Sequence, residues 1–81
     1  MRVDKFLKVS RLIKRRSVAH DACEEARISV NGKDAKPGKD IVPGDIISIR
    51  FANSELKVKV LQTPEHVTKD GAAELYEVIE G

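Results

Sequence analysis

The stretch RISVNGKDA, residues 27–35, is where the chain changes its period. Ile28 and Val30 alternate with Arg27 and Ser29, the two-residue repeat of a half-buried strand. Asn31-Gly32 follows at once. That pair is the strongest short signal for a tight hairpin, because both central residues of its turn take positive φ. Residues before this point read as helix, and those after it read mainly as strand and turn.

On the N-terminal side, residues 4–13 place Phe6, Leu7, Val9 or Ser10, and Ile13 at a helical period. Lys5, Lys8, Arg11 and Arg15 fall at steps of three or four. Asp4 suits the first turn, where the helix dipole favours a carboxylate. RSVAHDACEEA, residues 16–26, reads as a second helix, with Val18 or Ala19, Ala22 or Cys23, and Ala26 on one side. Ser17 is a candidate N-cap. The small residues of that side would let the two helices approach closely.

On the C-terminal side, KPGKDIVPGD (36–45) holds two turn pairs, Pro37-Gly38 and Pro43-Gly44. DIISIRF (45–51) alternates Ile47, Ile49 and Phe51. ELKVKVL (55–61) alternates Leu56, Val58 and Val60 with Glu55, Lys57 and Lys59. Only Ala52-Asn53-Ser54 separates these two runs, so they pair as a meander. Residues 62–71 form a polar loop, and AAELYEVIEG (72–81) opens as a helical turn or short helix. Whether that segment ends as an edge strand through Val78 and Ile79 is left open by its pattern. The reading is α-α-β-β-β-β. It is an α+β fold, with two N-terminal helices on a small, mostly antiparallel twisted sheet and a short C-terminal helical turn. Eighty-one residues make one domain, 1–81, with a core motif at 2–50 and a strand-and-helix completion at 51–81.

Apolar residues are 41% of the chain, enough for a core, but the only aromatics are Phe6, Phe51 and Tyr76. No run approaches the roughly 18 apolar residues of a membrane span, so no membrane partner is expected. The N-terminus is charged from Arg2 onward and has no apolar signal segment. The single cysteine, Cys23, excludes an intramolecular disulfide and fits a reducing, cytoplasmic setting. The net charge of +2 conceals a strong polarity. Residues 1–16 hold seven basic side chains (Arg2, Lys5, Lys8, Arg11, Lys14, Arg15, Arg16) against Asp4, a balance of +6. Residues 17–81 hold eight basic and twelve acidic side chains, a balance of −4. Such asymmetry points to a docking face for a polyanion, and those seven cations are the candidate RNA-binding residues.

No catalytic pattern accompanies that face. The chain has neither a phosphate-loop nor a dinucleotide fingerprint. Cys23 lies on the apolar side of its predicted helix and reads as a buried structural thiol. His20 stands three residues before it, but a zinc site needs three or four ligands, and the other histidine, His66, lies in a distant loop. Glu24 and Glu25 read as a solvated helix end. No cofactor, metal or catalytic residue is expected, and no enzyme activity.

RVDKFLKVSRLIKRRS, then ISVNGKDAKPG and VPGD, resemble the S-four RNA-binding domain family in order and spacing over residues 2–50. The family's Arg-aliphatic-Asp-Lys opening is matched by Arg2, Val3, Asp4 and Lys5. Its Arg-rich segment between helices is matched by residues 11–17, its Val-Asn-Gly by Val30, Asn31 and Gly32, its Lys-Pro by Lys36 and Pro37, and its Gly-Asp by Gly44 and Asp45. Two positions depart. Arg15 stands where the family often has a capping Ser or Thr, which leaves Ser17, or a bound phosphate, to cap the second helix. Ala26 stands where the family usually has Gly; a left-handed Ala costs roughly 1 kcal/mol, or else the helix ends differently.

The resemblance implies the αL-type RNA-binding motif, with its RNA face on the two helices and the segment between them. In length the chain is similar to the family's small ribosome-associated members, and it lacks the basic C-terminal extension of the longer, heat-shock-induced ones. For such members the resemblance implies a monomeric accessory factor on the large ribosomal subunit, contacting large-subunit rRNA and the peptidyl-site tRNA. It also implies support of a tailing factor that extends stalled nascent chains. Two alternatives stand beside it: a targeting module for a separate RNA-modifying enzyme, and a basic module that meets an acidic protein. Arg2→Ala and Arg16→Ala are expected to weaken ribosome association with the fold intact, and Lys57→Ala and Lys59→Ala to do little.

Overall fold

The hairpin signal is realised as written. In the computed structural model, which describes residues 1–64 and 69–80, β1 (Ile28–Val30) and β2 (Lys33–Asp34) pair antiparallel with Val30 opposite Lys33. Asn31 and Gly32 bridge them with φ of 53° and 85°, the two positive values of a type I′ turn. β3 (Ile46–Arg50) pairs with the other side of β1, β4 (Glu55–Val60) with β3, and β5 (Tyr76–Glu80) with β4. The sheet order is β2-β1-β3-β4-β5, and every pairing is antiparallel. That is five strands among the described residues, where the pattern counted four and left the last open. The C-terminal segment does both things its pattern allowed: a 3-10 helix at Lys69–Leu75 runs directly into β5. Part of the expected polar loop, His66 included, lies outside the described residues.

Both helices end earlier than their apolar spacing suggested. α1 spans Val3–Val9 and stops short of residue 13. The Ser10 N–H still donates to the Phe6 carbonyl (2.9 Å), but Arg11 turns into the left-handed region at φ 64°. Its N–H reaches the Lys8 carbonyl (3.0 Å), and the Ile13 N–H reaches that of Leu7 (3.0 Å). The reversal returns Leu12 and Ile13 against the core, so they are half-buried without being helical. Lys5 and Lys8 therefore do not continue as one helical row into Arg11 and Arg15.

α2 spans Arg16–Glu24 rather than reaching residue 26. Ala26 takes φ 58°, and the Arg27 N–H closes on the Ala22 carbonyl (2.9 Å), a Schellman-type stop performed by alanine. Arg15 is the N-cap residue, extended and without a side-chain capping bond, and Ser17 lies inside the first turn.

The core lies between the helix pair and one face of the sheet. Val3, Phe6, Leu7, Ala19, Ile28, Ile41, Ile47, Val58 and Val60 are fully buried. In α2 the open choice of face falls to Ala19, Ala22 and Cys23, leaving Val18 in solvent. Phe51 departs from the expected alternation and is 49% exposed. β3 has ended at Arg50, and the Phe51 N–H closes a turn on the Ser54 carbonyl (2.8 Å). The chain's first residues are tied down as well. Val3 N–H bonds Lys39 O (2.8 Å), Asp4 N–H bonds Pro37 O (3.3 Å), and Ile41 N–H bonds Met1 O (2.9 Å). The start of α1 is thereby fixed to the 37–41 segment. No helix among the described residues is long and apolar enough to cross a membrane.

Candidate nucleic-acid interface

The interface is organised around an acid rather than a base. Asp4 opens α1, and its side chain is 3% exposed. A buried carboxylate needs partners for its charge. Arg2 supplies one through Nη2 to Oδ2 at 3.2 Å, and Arg16, twelve residues on at the start of α2, supplies another through Nη2 to Oδ1 at 3.4 Å. The Lys5 backbone N–H donates to Oδ1 as well (2.7 Å). The two arginine side chains are 51% and 48% exposed. One end of each guanidinium is thus held by the protein while the rest faces water. The sequence alone marked Arg2 and Arg16 separately; the structure brings them together on the two oxygens of one carboxylate. Sequence reasoning saw Asp4 only as a first-turn acid. The available signal was its isolation, as the single acid among sixteen residues with seven cations.

The remaining candidates surround this clamp without joining it. Lys8 is exposed in the last turn of α1, and Lys5 is half-buried in its first. Arg11, Lys14 and Arg15 are exposed in the segment that links the helices. None of these five forms an ion pair with an acid among the described residues, so their charge is available to a ligand. Arg11 holds its place at a backbone cost, since a left-handed non-glycine residue is strained by about 1–2 kcal/mol. Strain of this kind persists where the surrounding structure enforces it, and it clusters at functional positions.

Cys23 and His20 point apart. Cys23 is buried, while His20 faces solvent and lies 3.8 Å from both Asp21 and Glu24. Burial pushes the Cys23 thiol up to about 11, with the Asp4 and Glu24 carboxylates adding to the shift. A thiol so raised is a poor nucleophile near neutrality.

Comparison with known proteins agrees with this geometry. The S4 domain family matches residues 1–47, the span that holds both helices, the clamp and the hairpin. The chain belongs to the S4 domain family. Within it, the RQC P-site tRNA stabilizing factor of Halalkalibacterium halodurans is 51% identical over 96% of this chain and 89% of its own length. The factor of the same name from Bacillus subtilis is 44% identical over 98% of this chain and 92% of its own. Among solved structures, the trimeric Heat Shock Protein 15 of Vibrio cholerae superimposes with a TM-score of 0.89 at 29% identity, covering 98% of this chain and 81% of that one. The α+β architecture is therefore that of the S4 domain. All seven candidate cations and Asp4 lie inside the matched span.

Proposed function

We propose that residues 1–81 act as a single RNA-binding domain on the large ribosomal subunit that still carries peptidyl-tRNA. There the protein supports ribosome-associated quality control as an accessory factor. The helix-pair face meets large-subunit rRNA and the peptidyl-site tRNA, and the bound protein favours the work of the nascent-chain tailing factor. The protein acts in the cytoplasm, as a monomer, without cofactor or metal and without catalysis of its own. The observation that carries this reading is the clamp: two half-exposed arginines fixed on one buried carboxylate, inside a field of five cations that form no ion pair among the described residues. Arginine's planar fork holds a phosphate bidentately, and such contacts set position and affinity more than sequence choice. The names of the relatives support the choice of ribosome and tRNA over any other RNA.

The test is sedimentation with large subunits carrying peptidyl-tRNA across a salt series. Each phosphate contact contributes a slope of about −0.9 in log affinity against log salt, so a face of several cations gives a steep fall. Arg2→Ala and Arg16→Ala weaken binding strongly. Lys57→Ala and Lys59→Ala, on β4, remove the same charge and leave binding near wild type. Lys57 is already engaged by Glu55 (4.0 Å) and Glu80 (3.8 Å). A flat salt dependence, or equal losses from all four changes, overturns the helix-pair site.

A further inference from the structure

Arg2 is held in a way that a phosphate contact alone does not require. Its Nη2 donates to Asp4 Oδ2 (3.2 Å), which fixes one edge of the guanidinium. One of its faces is covered as well. A side-chain carbon at Gly38 would stand 3.9 Å from Cζ, 3.9 Å from Nε and 3.9 Å from Nη2 of Arg2. A point equally far from three neighbouring atoms of a planar group, and well outside it, stands over its plane and not at its edge. The guanidinium therefore lies flat over Gly38.

The support is rigid. Residues 36–39 form a turn closed by the Lys39 N–H on the Lys36 carbonyl (3.0 Å), with Pro37 and Gly38 at its centre. The Val3 N–H donates to Lys39 O (2.8 Å) and the Asp4 N–H to Pro37 O (3.3 Å), so this turn and the start of α1 are one unit. The Arg2 backbone also bridges Asp40 in antiparallel fashion. Ordering a free side chain costs affinity, and here the carboxylate and the turn have already ordered it. The side chain nevertheless stays 51% exposed. One edge on Asp4 and one face on Gly38 leave the opposite face as the broad surface it can offer. A phosphate meets a guanidinium in its plane, edge to edge. What fits the face is another flat π-system. In RNA only an unpaired nucleotide offers one, because pairing and stacking cover both faces of a base within a helix.

We propose that Arg2 is a stacking platform for one unpaired RNA base, which lies on the guanidinium face opposite Gly38. Arg16, held on the other oxygen of Asp4, keeps the phosphate contact. The two arginines of the clamp thus have different tasks. The proposal rests on the helix pair being an RNA face, and it names what that face recognises at Arg2: a nucleotide out of its helix, not a paired backbone alone.

The first arm of the test needs no mutation. The full chain is titrated, at about 50 mM salt, with an RNA hairpin carrying one bulged adenosine and with the same hairpin bearing an abasic site at the bulge. The two RNAs differ by one base and share every phosphate. The unaltered protein binds the bulged hairpin about 2- to 30-fold more tightly, the range expected for a cation over a π-face. Equal affinities overturn the platform. The second arm repeats both titrations with Arg2→Lys, which keeps the charge and loses the flat face. The preference for the bulged hairpin then disappears, while the salt slope stays that of the unaltered protein, because no charge is lost. A preference that survives in Arg2→Lys overturns the platform. Arg16→Ala weakens binding of both hairpins alike and keeps the preference. Circular dichroism of each variant at the assay temperature establishes that it is folded. Failure of the unaltered protein to bind either hairpin removes the RNA face itself, and the platform with it; two hairpins bound equally well remove the platform alone.

Discussion

Replacing Asp4 by asparagine separates two ideas that usually give the same answer. The change raises the net charge from +2 to +3, so a protein that binds RNA through total charge binds it more tightly. A protein that binds through a positioned pair of arginines binds it less tightly. The structure favours the second outcome. An asparagine offers one acceptor oxygen and one amide donor, so either Arg2 or Arg16 faces a donor and turns away. Releasing a long side chain to be re-ordered on binding costs about 0.5–1.5 kcal/mol each. For one released arginine, a loss of up to about tenfold in affinity is expected, since 1.4 kcal/mol is one decade. The fold suffers as well. At 3.2 Å and an effective dielectric of about 20, each pair is worth about 5 kcal/mol before solvation is counted. Both arginines are half in water, and the carboxylate's own desolvation is recovered on substitution, which leaves about 2 kcal/mol net. For a domain of this size that lowers the melting temperature by about 10 °C. Calorimetry gives the stability term, and sedimentation with large subunits below the transition gives the binding term. Equal or tighter binding by a folded Asp4→Asn protein refutes the clamp. The same geometry revises the expectation for the arginines. Arg2→Ala or Arg16→Ala leaves a buried carboxylate with one partner, so each costs stability as well as affinity, and the losses couple non-additively with Asp4→Asn.

Arg11→Gly should raise the melting temperature, by relieving about 1 kcal/mol of left-handed strain, while weakening large-subunit binding; Ala26→Gly should give a similar rise with binding unchanged. Gly32→Val should lower stability by about 1–2 kcal/mol in a denaturant titration, through backbone strain alone, because a side-chain carbon there meets nothing within 4 Å. Cys23 should resist alkylation at pH 8 until the protein unfolds. Its thiol titrates higher when folded, so the folded state keeps a proton that the unfolded state loses between pH 9 and about 11. Stability from this source is full below pH 9 and falls by up to about 3 kcal/mol as pH rises through 11. The difference between wild type and Cys23→Ala across that range measures it, and a pH-independent difference refutes the assignment.

What could be read from the sequence was what local chemistry decides. Asn31-Gly32 fixes a turn because few residue pairs accept two positive φ values, and the alternations around Ile47 and Val58 fix the strands that follow. Helix ends were less legible, since apolar spacing continues through Leu12 and Ile13 although the backbone has already reversed at Arg11. Nothing local marks that reversal, because arginine has no preference for the left-handed region. The fifth strand was ambiguous for a similar reason. Tyr76–Glu80 mixes acids with Val78 and Ile79, both exposed at the sheet edge, so no buried face imposes a period. The basic face was visible as charge, but its geometry was not. Arg2 and Arg16 are joined through a carboxylate two and twelve residues away, and no local pattern marks that pairing; only the packing of α1 on α2 makes it.

Three departures from local preference therefore fall on one surface. Arg15 occupies an N-cap without capping, Arg11 occupies a left-handed site without being glycine, and Asp4 carries a charge into the interior. Arg15 and Arg11 lower stability where Ser or Asp at the cap and Gly at the reversal would not, and Asp4 carries a desolvation cost that its two arginines offset. Agreement between local and global preference is what makes a chain fold, and its failure at a few clustered positions is the mark of a site. At this surface every departure either adds a cation or fixes one in place. Under the proposed function, the face is adapted to a ligand that supplies what the free protein omits: negative charge beside the arginines and an oxygen acceptor for the uncapped start of α2. A phosphodiester backbone carries both in a single group.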